Sequence, residues 1–390
     1  MNITMQESFI NSCTSCGACK SVCPVDAIDM IENNEGFIYP YVDSCICLDC
    51  GLCFDVCLIG KKKTPSNPID AKIGYAQSKK IRKQSSSGGV FALLSNEVIK
   101  NGGIVYGVTF DGNMRKALYS STDDVSIEDL MKSKYVEAYD YTGFNNIKEQ
   151  LDTGKKVLYS GTPCKIAALK KYLKTNYPNL FTIDFKCHGR PSPRLLKDVI
   201  EQEEIGVGKH CIDVSFREKY KGWRHQVTAF YFENGEKVLY DSSNHYYYYY
   251  FLHNYSLRKA CFTCEYYHCH ASDLTLADHW NVPKELDDDL GISAVYVNTK
   301  KGLEMLNSIS DKMVFINADN VLPTSVYAHS PRKGYNIKKR DRFFDEYQKF
   351  GISFIKGKKY KTIIQNEKYR LIILNAIVRV EKAFKKILFR

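Results

Sequence analysis

Two cysteine motifs with the same spacing lie near the start of the chain. The first motif is Cys13, Cys16, Cys19 and Cys23, and the second is Cys47, Cys50, Cys53 and Cys57. Three thiolates at these intervals bind three corners of one 4Fe-4S cube, while the fourth cysteine of each motif ligates the other cluster. The spacing therefore predicts a pair of 4Fe-4S clusters, arranged as in bacterial two-cluster ferredoxins.

This crossed pattern divides the eight cysteines between two sites. One site has Cys13, Cys16, Cys19 and Cys57, and the other has Cys47, Cys50, Cys53 and Cys23. Structural zinc also binds Cys-x-x-Cys pairs, but it takes four ligands at one site and does not account for two crossed quartets. Gly17 and Gly51 suit a backbone that turns tightly around inorganic sulfide. Cys45 lies outside the motif register, so we expect it not to be a ligand.

The composition indicates a large folded chain with one strongly basic end. The 390 residues are 44% hydrophobic, which supports more than one packed domain. The formal net charge is +11, but residues 356–390 alone hold eleven Lys and Arg against two Glu. The rest of the chain is close to balanced, so a nucleic-acid surface over the whole protein is not expected.

The cysteine content and the N-terminal residues indicate the compartment. The chain has 15 cysteines, and its start lacks a charged segment followed by an apolar stretch and a cleavage site. We therefore expect a cytoplasmic, reducing setting, in which cysteines are metal ligands rather than disulfide partners. No long uncharged apolar run occurs, so the sequence predicts no membrane-spanning helix.

Composition and periodicity divide the chain into five segments. Residues 1–60 form the cysteine-rich domain, and the basic, proline-containing residues 61–72 are typical of a linker. Residues 73–160 and 161–330 are expected to be two parts of one larger domain, followed by a basic helical tail over residues 331–390. The predicted fold class is α+β, with an N-terminal bacterial two-cluster ferredoxin-like domain followed by a mixed α/β domain.

Local patterns in the larger domain support this mixed fold. Residues 91–100 have helical spacing, and residues 104–110 are apolar like a buried strand. Residues 156–160 predict a further strand, and residues 165–173 predict a further helix. The pair Asn234-Gly235, between alternating segments, predicts a hairpin turn.

Six further cysteines follow, at positions 164, 187, 211, 261, 264 and 269. Only Cys261 and Cys264 have the close spacing of a cluster or zinc half-site. Buried free cysteines are common, so spacing alone leaves a third metal site and a set of structural thiols both open. We predict that Cys164 and Cys187 each lie at a strand end that opens into a turn.

Several short motifs surround these cysteines. They are Ser86-Ser87-Gly88-Gly89-Val90, Gly161-Thr162-Pro163-Cys164, Lys186-Cys187-His188-Gly189, Ser215-Phe216-Arg217-Glu218-Lys219, Arg258-Lys259-Ala260-Cys261-Phe262-Thr263-Cys264 and Asp278-His279-Trp280. In this order, over residues 73–330, they resemble the coenzyme F420 hydrogenase/dehydrogenase beta-subunit family. The resemblance implies that the mixed α/β domain binds a flavin.

Members of that family bind FAD and a 4Fe-4S cluster. The resemblance implies a third cluster on Cys164, Cys187, Cys261 and Cys264. Cys211 and Cys269 match no ligand position and are expected to be structural thiols, with zinc at Cys269 and its flanking histidines as an alternative. The residues implied to contact FAD are Ser87, Gly88, Gly89, Lys134, Tyr135 and Thr162. A glycine turn at a helix N-terminus offers backbone amides to a pyrophosphate.

These cofactors define the expected activity. An iron–sulfur cluster passes one electron, whereas FAD accepts electrons singly and delivers a hydride. The resemblance implies an FAD-dependent iron–sulfur oxidoreductase that takes electrons from a redox donor such as ferredoxin and reduces an organic small molecule or coenzyme F420. Similar bacterial proteins are associated with surface-polysaccharide biosynthesis, so a reductase of such a pathway is one expectation. The sequence identifies no catalytic residue.

Two other classes of function stay open. One is an electron-transfer subunit of a larger hydrogenase or dehydrogenase without its own substrate, and the other is an iron–sulfur sensor without flavin. The imperfectly amphipathic residues 370–390 fit an anionic membrane surface, an acidic partner, or a packed C-terminal helix with lysines in water. We favour the packed helix.

Overall fold

A computed structural model describes residues 7–61, 63, 66–140, 142–242, 244–282, 284–316 and 335–359. Over these ranges the chain forms a small N-terminal unit, a central eight-stranded sheet and a separate three-stranded sheet. The distal part of the predicted tail, residues 360–390, lies outside the described residues. None of the helices in the described part has the length and apolar content that crossing a bilayer requires.

The N-terminal unit consists of short helices around one hairpin. Its helices are α1 (Glu7–Ser12), α2 (Ala18–Ser21) and α3 (Leu52–Val56), and its strands are β1 (Ile28–Glu32) and β2 (Ile38–Val42). The two strands pair antiparallel, with Ile28 opposite Val42. The hairpin therefore lies between the two cysteine motifs in the chain.

The two cysteine motifs share one local backbone conformation. Each enters its short helix through a glycine in the left-handed region, Gly17 with φ 80° and Gly51 with φ 77°. The residue two positions earlier, Ser15 or Asp49, also has a positive φ of 50°. In both motifs its backbone NH donates to the sulfur of the first cysteine at 3.4 Å. The tight turns predicted at the two glycines are confirmed, because a left-handed φ favours glycine.

The central sheet has a parallel middle and antiparallel edges. Its strands are β3 (Asp70–Ala76), β4 (Ile104–Asp111), β5 (Lys116–Ser121), β6 (Val157–Ser160), β7 (Leu180–Phe185), β11 (Leu274–Asp278), β12 (Ser293–Val297) and β13 (Met313–Ile316). Their order across the sheet is β13-β3-β12-β11-β7-β6-β4-β5. Strands β4, β6, β7 and β11 are parallel neighbours. The carboxyl ends of these four strands therefore lie at one edge of the sheet.

Helices pack around the central sheet and the three-stranded sheet. They are α4 (Lys79–Gln84), α5 (Val90–Lys100), α6 (Ile127–Leu130), α7 (Gly143–Asp152), α8 (Pro163–Leu173), α9 (Pro193–Val207), α10 (Tyr246–Leu252) and α11 (Lys300–Asn307), and residues 337–359 are also helical. Apolar side chains of α5 and α11 share one buried core with strands of the sheet. The predicted helices over 91–100 and 165–173, and the predicted strands over 104–110 and 156–160, are confirmed.

The three-stranded sheet is antiparallel. It consists of β8 (Cys211–Glu218), β9 (Val227–Phe232) and β10 (Lys237–Asp241). Between β9 and β10 the chain reverses at Asn234-Gly235, where Gly235 has a φ of 81°. The predicted hairpin is confirmed.

The N-terminal unit packs closely on the rest of the structure. The Phe37 ring of its hairpin lies 5.7 Å from the Phe344 ring, centre to centre. A Cβ added at Gly36 would lie 2.3 Å from the Cβ of Arg194 in α9, so this turn approaches the helix too closely for a larger residue. These contacts fix the N-terminal hairpin against α9 and the helical residues 337–359.

Two of the predicted domain boundaries can be located on this fold. The division between residues 160 and 161 falls between β6 and α8, so both parts contribute strands to the same sheet. In the predicted linker over 61–72, Ser66 exchanges hydrogen bonds with the backbone of His270 at 2.7 and 2.8 Å. This part of the linker is therefore held against the larger domain.

Candidate redox site

The structure brings the eight N-terminal cysteines together as two crossed quartets. Cys13, Cys16, Cys19 and Cys57 line one cavity, and Cys23, Cys47, Cys50 and Cys53 line a second. Counted together with the open solvent at their mouths, these spaces measure about 360 and 350 Å³. In the described part of the chain, no three His, Cys, Asp or Glu side chains converge on a point that one metal ion could occupy. Each quartet instead surrounds a space.

The two cavities differ in their exposure to solvent. At the first cavity, Cys13 and Cys19 are only 7% and 8% exposed. At the second cavity, Cys50 is exposed, and the lining residues Val25 and Leu48 are 37% and 65% exposed. The second quartet is therefore the outer one.

Four of the six downstream cysteines also share a cavity. Cys164, Cys187, Cys261 and Cys264 line a space that measures about 370 Å³ together with the open solvent at its mouth. Cys187 follows the end of β7, as predicted for a strand end. Cys164 lies in the first turn of α8 rather than in an open turn, because Pro163 already begins that helix.

The remaining three cysteines line none of these cavities. They are Cys45, Cys211 and Cys269. Next to Cys269, both ring nitrogens of His270 are engaged, one with Asp184 at 3.0 Å and the other with the Tyr267 carbonyl oxygen at 3.2 Å. His270 therefore has no ring nitrogen left to bind zinc beside Cys269.

A much larger cavity opens at the carboxyl ends of the parallel strands. It encloses about 2160 Å³, including its open mouth. Ser160 at the end of β6, Phe185 at the end of β7 and Asp278 at the end of β11 all line it. Ligands of open α/β sheets bind at this edge. Cys187 lines both this cavity and that of the third quartet, so the two spaces adjoin.

Five of the six residues that the resemblance assigned to FAD line this large cavity. They are Ser87, Gly89, Lys134, Tyr135 and Thr162. Gly88 differs from that expectation, because its backbone NH donates to Ser293 Oγ at 2.9 Å. A Cβ added at Gly88 would also lie 2.7 Å from the Gly74 carbonyl oxygen. Gly88 thus allows the turn to pack against β3, and its amide is not presented to a ligand.

Arg217 connects separate parts of the cavity wall. Its guanidinium donates to Asp278 at 2.7 Å and to the Tyr135 hydroxyl at 3.1 Å. It also donates to the Ser86 carbonyl oxygen at 3.1 Å. Although burial opposes the charge, Tyr135 and Asp278 raise the pKa of Arg217 above its usual value. This permanent cation holds the glycine turn next to the end of β11.

The lining of the large cavity carries a positive charge. Its ionisable lysines, arginines and aspartates are Lys132, Lys134, Lys165, Lys186, Arg190, Arg217, Asp184 and Asp278. Burial lowers the pKa of Lys134 and of Lys186 to about 8, so both side chains are still mainly charged at neutral pH. Four of the six basic residues pair with carboxylates: Lys132 with Glu218, Lys165 with Asp140, Arg190 with Glu137 and Arg217 with Asp278. The small excess of positive charge that remains, at Lys134 and Lys186, favours an anionic ligand.

Burial also acts on the thiols of the quartets. It raises the pKa of Cys16 to about 11 and raises the pKa of Cys187 well above that of a free thiol. Such thiols are protonated at neutral pH unless a metal centre binds them, since metal coordination deprotonates a thiol outright.

Three basic residues near the third quartet were not assigned from the sequence. They are Lys165, Arg190 and Arg258, and their side chains reach backbone carbonyls in residues 13–16. The only sequence signal for them is their position within three residues of Cys164, Cys187 and Cys261.

Comparison with known proteins gives two family matches and two relatives. Residues 154–320 match the family described as the C terminus of the coenzyme F420 hydrogenase/dehydrogenase beta subunit, and residues 12–61 match the 4Fe-4S dicluster domain. The coenzyme F420-dependent sulfite reductase of Methanocaldococcus jannaschii is 22% identical over 320 residues, which are 77% of this chain and 46% of that protein. The chain thus spans about half the length of this relative. A chain of the F420-reducing NiFe hydrogenase complex of Methanosarcina barkeri is 16% identical with a TM-score of 0.48, covering 75% of this chain and 97% of that chain.

The fold, the quartets and the two family matches define the class of protein. It is an iron–sulfur electron-transfer protein of mixed α/β structure with an N-terminal ferredoxin-type 4Fe-4S domain. Residues 154–320 carry the C-terminal domain of the coenzyme F420 hydrogenase/dehydrogenase beta-subunit family, and over these residues the resemblance noted from the motifs is confirmed.

Proposed function

We propose that the chain is an iron–sulfur flavoprotein oxidoreductase. In this proposal, electrons enter from a redox donor such as ferredoxin, pass through three 4Fe-4S clusters to FAD, and reduce an organic small molecule. The observation that carries the proposal is the adjacency of four cavities within one chain.

Shared residues give the order of these cavities. Cys19 and Cys53, one from each N-terminal quartet, pack in the same buried cluster. Thr14 lines both the first cavity and that of the third quartet. Cys187 then lines both the third cavity and the large one. The order supports a path from the exposed outer quartet to the interior.

The cysteine quartets fit 4Fe-4S clusters. Each supplies four thiols around a space rather than a point, which suits a cube with one iron at each of four corners. The proposal that a cluster binds at the third quartet rests on this fit and on the family resemblance.

The large cavity fits FAD in position and charge. The N-terminus of α5 at Gly89 lies in the cavity wall, and Thr162 adds a hydroxyl there. Lys134 adds a cation, whose Nζ also donates to the Asp129 carbonyl oxygen at 2.6 Å and to the Met131 carbonyl oxygen. A pyrophosphate is stabilised by a helix N-terminus and by cations. When bound, a flavin converts single electrons from clusters into a hydride for an organic substrate.

The positive lining favours an anionic substrate or carrier beside the flavin. Coenzyme F420 is a candidate because the Methanocaldococcus jannaschii relative is described as dependent on it. Surface-polysaccharide biosynthesis remains a second proposal for the pathway, carried by the family resemblance and not by a particular residue.

A second candidate function is that of an electron-transfer subunit within a larger hydrogenase or dehydrogenase. The surface around the outer quartet favours it, because the large apolar side chains of Ile46, Leu48 and Phe54 are 49%, 65% and 49% exposed there. Exposed apolar side chains of this kind mark sites of protein association. The same surface also suits a transient electron donor, so both candidates use it.

Flavin reduction in the isolated chain tests the proposal. The chain, loaded anaerobically with iron, sulfide and FAD, is mixed with reduced ferredoxin, and bleaching of the flavin absorbance is followed. We expect rapid bleaching in the natural chain and bleaching at least a hundredfold slower in the Cys187→Ala variant. Equal rates would exclude a path through the third quartet.

Organic acceptors, including coenzyme F420, are then added to the reduced chain. Turnover supports the reductase. Reduction without turnover, together with a catalytic partner that co-purifies in fixed stoichiometry, supports the subunit. A chain that binds no FAD after reconstitution would contradict the reductase and leave the electron-transfer subunit or an iron–sulfur sensor.

A further inference from the structure

Two buried cations and the largely buried Arg190, whose side chain is 12% exposed, connect the third quartet to the first. Lys165 follows Cys164 directly, Arg190 lies three residues after Cys187, and Arg258 lies three residues before Cys261. Their side chains reach the loop that carries the first quartet, and Arg190 also lines the cavity of the third quartet. Lys165 is 3% exposed and Arg258 is fully buried.

All three cations donate hydrogen bonds to backbone carbonyls of that loop. Lys165 Nζ donates to the Cys16 carbonyl oxygen at 2.7 Å, and Arg258 Nε donates to the Cys13 carbonyl oxygen at 2.6 Å. Arg190 Nη2 donates to the carbonyl oxygen of Thr14, the residue that lines both cavities.

Two buried carboxylates partly balance these charges. Glu137 accepts two hydrogen bonds from Arg258, at 2.8 and 3.1 Å, and lies 3.6 Å from Arg190. Asp140 pairs with Lys165 and also accepts from Thr142 at 2.9 Å. Three cations against two carboxylates leave one positive charge between the two cavities.

The position of this charge has a redox consequence. A 4Fe-4S cluster bound by four thiolates is an anion, and reduction adds a further negative charge. Nearby charge and hydrogen bonding set the potential of such clusters. A buried cation acts more strongly than an exposed one, because little water screens it.

We infer that Lys165, Arg190 and Arg258 form a cationic bridge that raises the reduction potentials of the first and third clusters together. The bridge also holds the loop of the first quartet against the third. The inference rests on the proposed third cluster, and it assigns these residues a positioning and tuning role, not a catalytic one.

Redox titration of the reconstituted chain, followed by electron paramagnetic resonance, tests the bridge. In the Lys165→Met variant we expect two of the three cluster potentials to fall and the outer potential to stay unchanged. For each of these two clusters, the equilibrium constant for reduction should fall about tenfold. This corresponds to a potential lower by about 59 mV for one electron. Lys165→Arg keeps the charge, so both potentials should equal those of the natural chain.

Lys20 provides a matched control. It follows Cys19 as Lys165 follows Cys164, but its side chain is 38% exposed and donates to the Ile28 carbonyl oxygen within its own unit. Lys20→Met should therefore leave the potentials of the first and third clusters unchanged. A fall in only one potential, equal falls in all three, or no change in Lys165→Met would overturn the inference.

Iron and sulfide are determined before each titration. If Lys165→Met does not load its clusters, Arg190→Gln is titrated with the same expectation and the same contradicting results. A natural chain with only two clusters would refute the proposed third site, whereas three clusters without the paired shift would refute the bridge alone.

Discussion

The exposed cysteines of the N-terminal unit differ in their surroundings. Cys45 and Cys50 both face solvent, but only Cys50 lines a cavity with three other cysteines. Cys45 instead donates its backbone NH to Asp43 at 2.8 Å within a turn. Exposure therefore does not distinguish a ligand from a spare thiol, whereas position around the cavity does.

Removing cysteines of the outer quartet should remove one cluster. For the double variant Cys50→Ala with Cys53→Ala, we expect bound iron to fall by about four atoms per chain, because one cube loses two of its four ligands. Cys45→Ala serves as the control and should leave the iron content unchanged. Iron and acid-labile sulfide assays measure both, and loss of iron in the Cys45 variant would contradict the assignment.

The charge of Lys134 should make flavin binding depend on pH. Burial lowers its pKa to about 8, so the side chain is cationic below that pH and neutral above it. If Lys134 contacts the flavin phosphates, affinity for FAD should be highest below pH 8 and fall by about tenfold as the lysine loses its proton, because one charge-assisted contact is lost. A bound anion favours the charged lysine and moves the fall to higher pH.

Arginine is the matched replacement at this position. Lys134→Arg should keep the affinity and remove its pH dependence, since the guanidinium stays charged over the whole range. Fluorescence of released flavin between pH 6 and 9.5 gives the dissociation constants. An unchanged pH profile in Lys134→Arg would show that another group titrates.

At the scale of elements, a buried ion pair joins the N-terminal hairpin to the larger domain. Arg258 and Glu137 are fully buried, and Glu137 also accepts from the backbone NH of Ile38 in β2 at 3.2 Å. Arg258 donates to the Ile38 carbonyl oxygen at 2.9 Å. The pair thus replaces the water that these backbone groups would otherwise bind.

Breaking this pair should loosen the hairpin. Glu137→Ala leaves Arg258 charged, buried and without its main partner, which typically costs about 3–5 kcal/mol. We expect a clearly lower Tm and faster proteolysis within the N-terminal unit. Asp152→Ala, which removes an exposed partner of Lys148, should leave the Tm unchanged. Equal effects of the two substitutions would contradict this account of the interface.

Elements with a strong local signal could be predicted from the sequence. The helix predicted over residues 91–100 and the turn at Asn234-Gly235 each depend on a few consecutive residues. The strand order could not be predicted, because pairs such as Gly74 and Ser293 join distant parts of the chain. The same holds for the cationic bridge, since Lys165 meets a carbonyl 149 residues away.

At the scale of the whole molecule, the charge is divided between the two ends. Residues 1–60 hold eight Asp and Glu against one Lys, whereas residues 356–390 are basic. Near the outer quartet, Asp49 and Asp55 are exposed beside Leu48 and Phe54. An acidic rim around exposed apolar side chains suits a protein partner with a basic face.

Electron exchange at this surface should depend on salt. With cytochrome c, a lysine-rich one-electron carrier, as a probe, we expect the rate constant to fall as ionic strength rises. Asp49→Lys with Asp55→Lys should lower the low-salt rate by about tenfold. Glu233→Lys with Glu236→Lys, on the exposed β9–β10 turn, makes the same charge change elsewhere and should have little effect. Equal losses in both variants would indicate a general effect of net charge.

The cofactor content of the chain tests the central claim most directly. After anaerobic purification and reconstitution, iron, acid-labile sulfide and released flavin are measured per polypeptide. Three clusters feeding a flavin predict about twelve irons, about twelve sulfides and about one FAD. About eight irons without flavin would contradict the account and leave a two-cluster electron carrier or sensor.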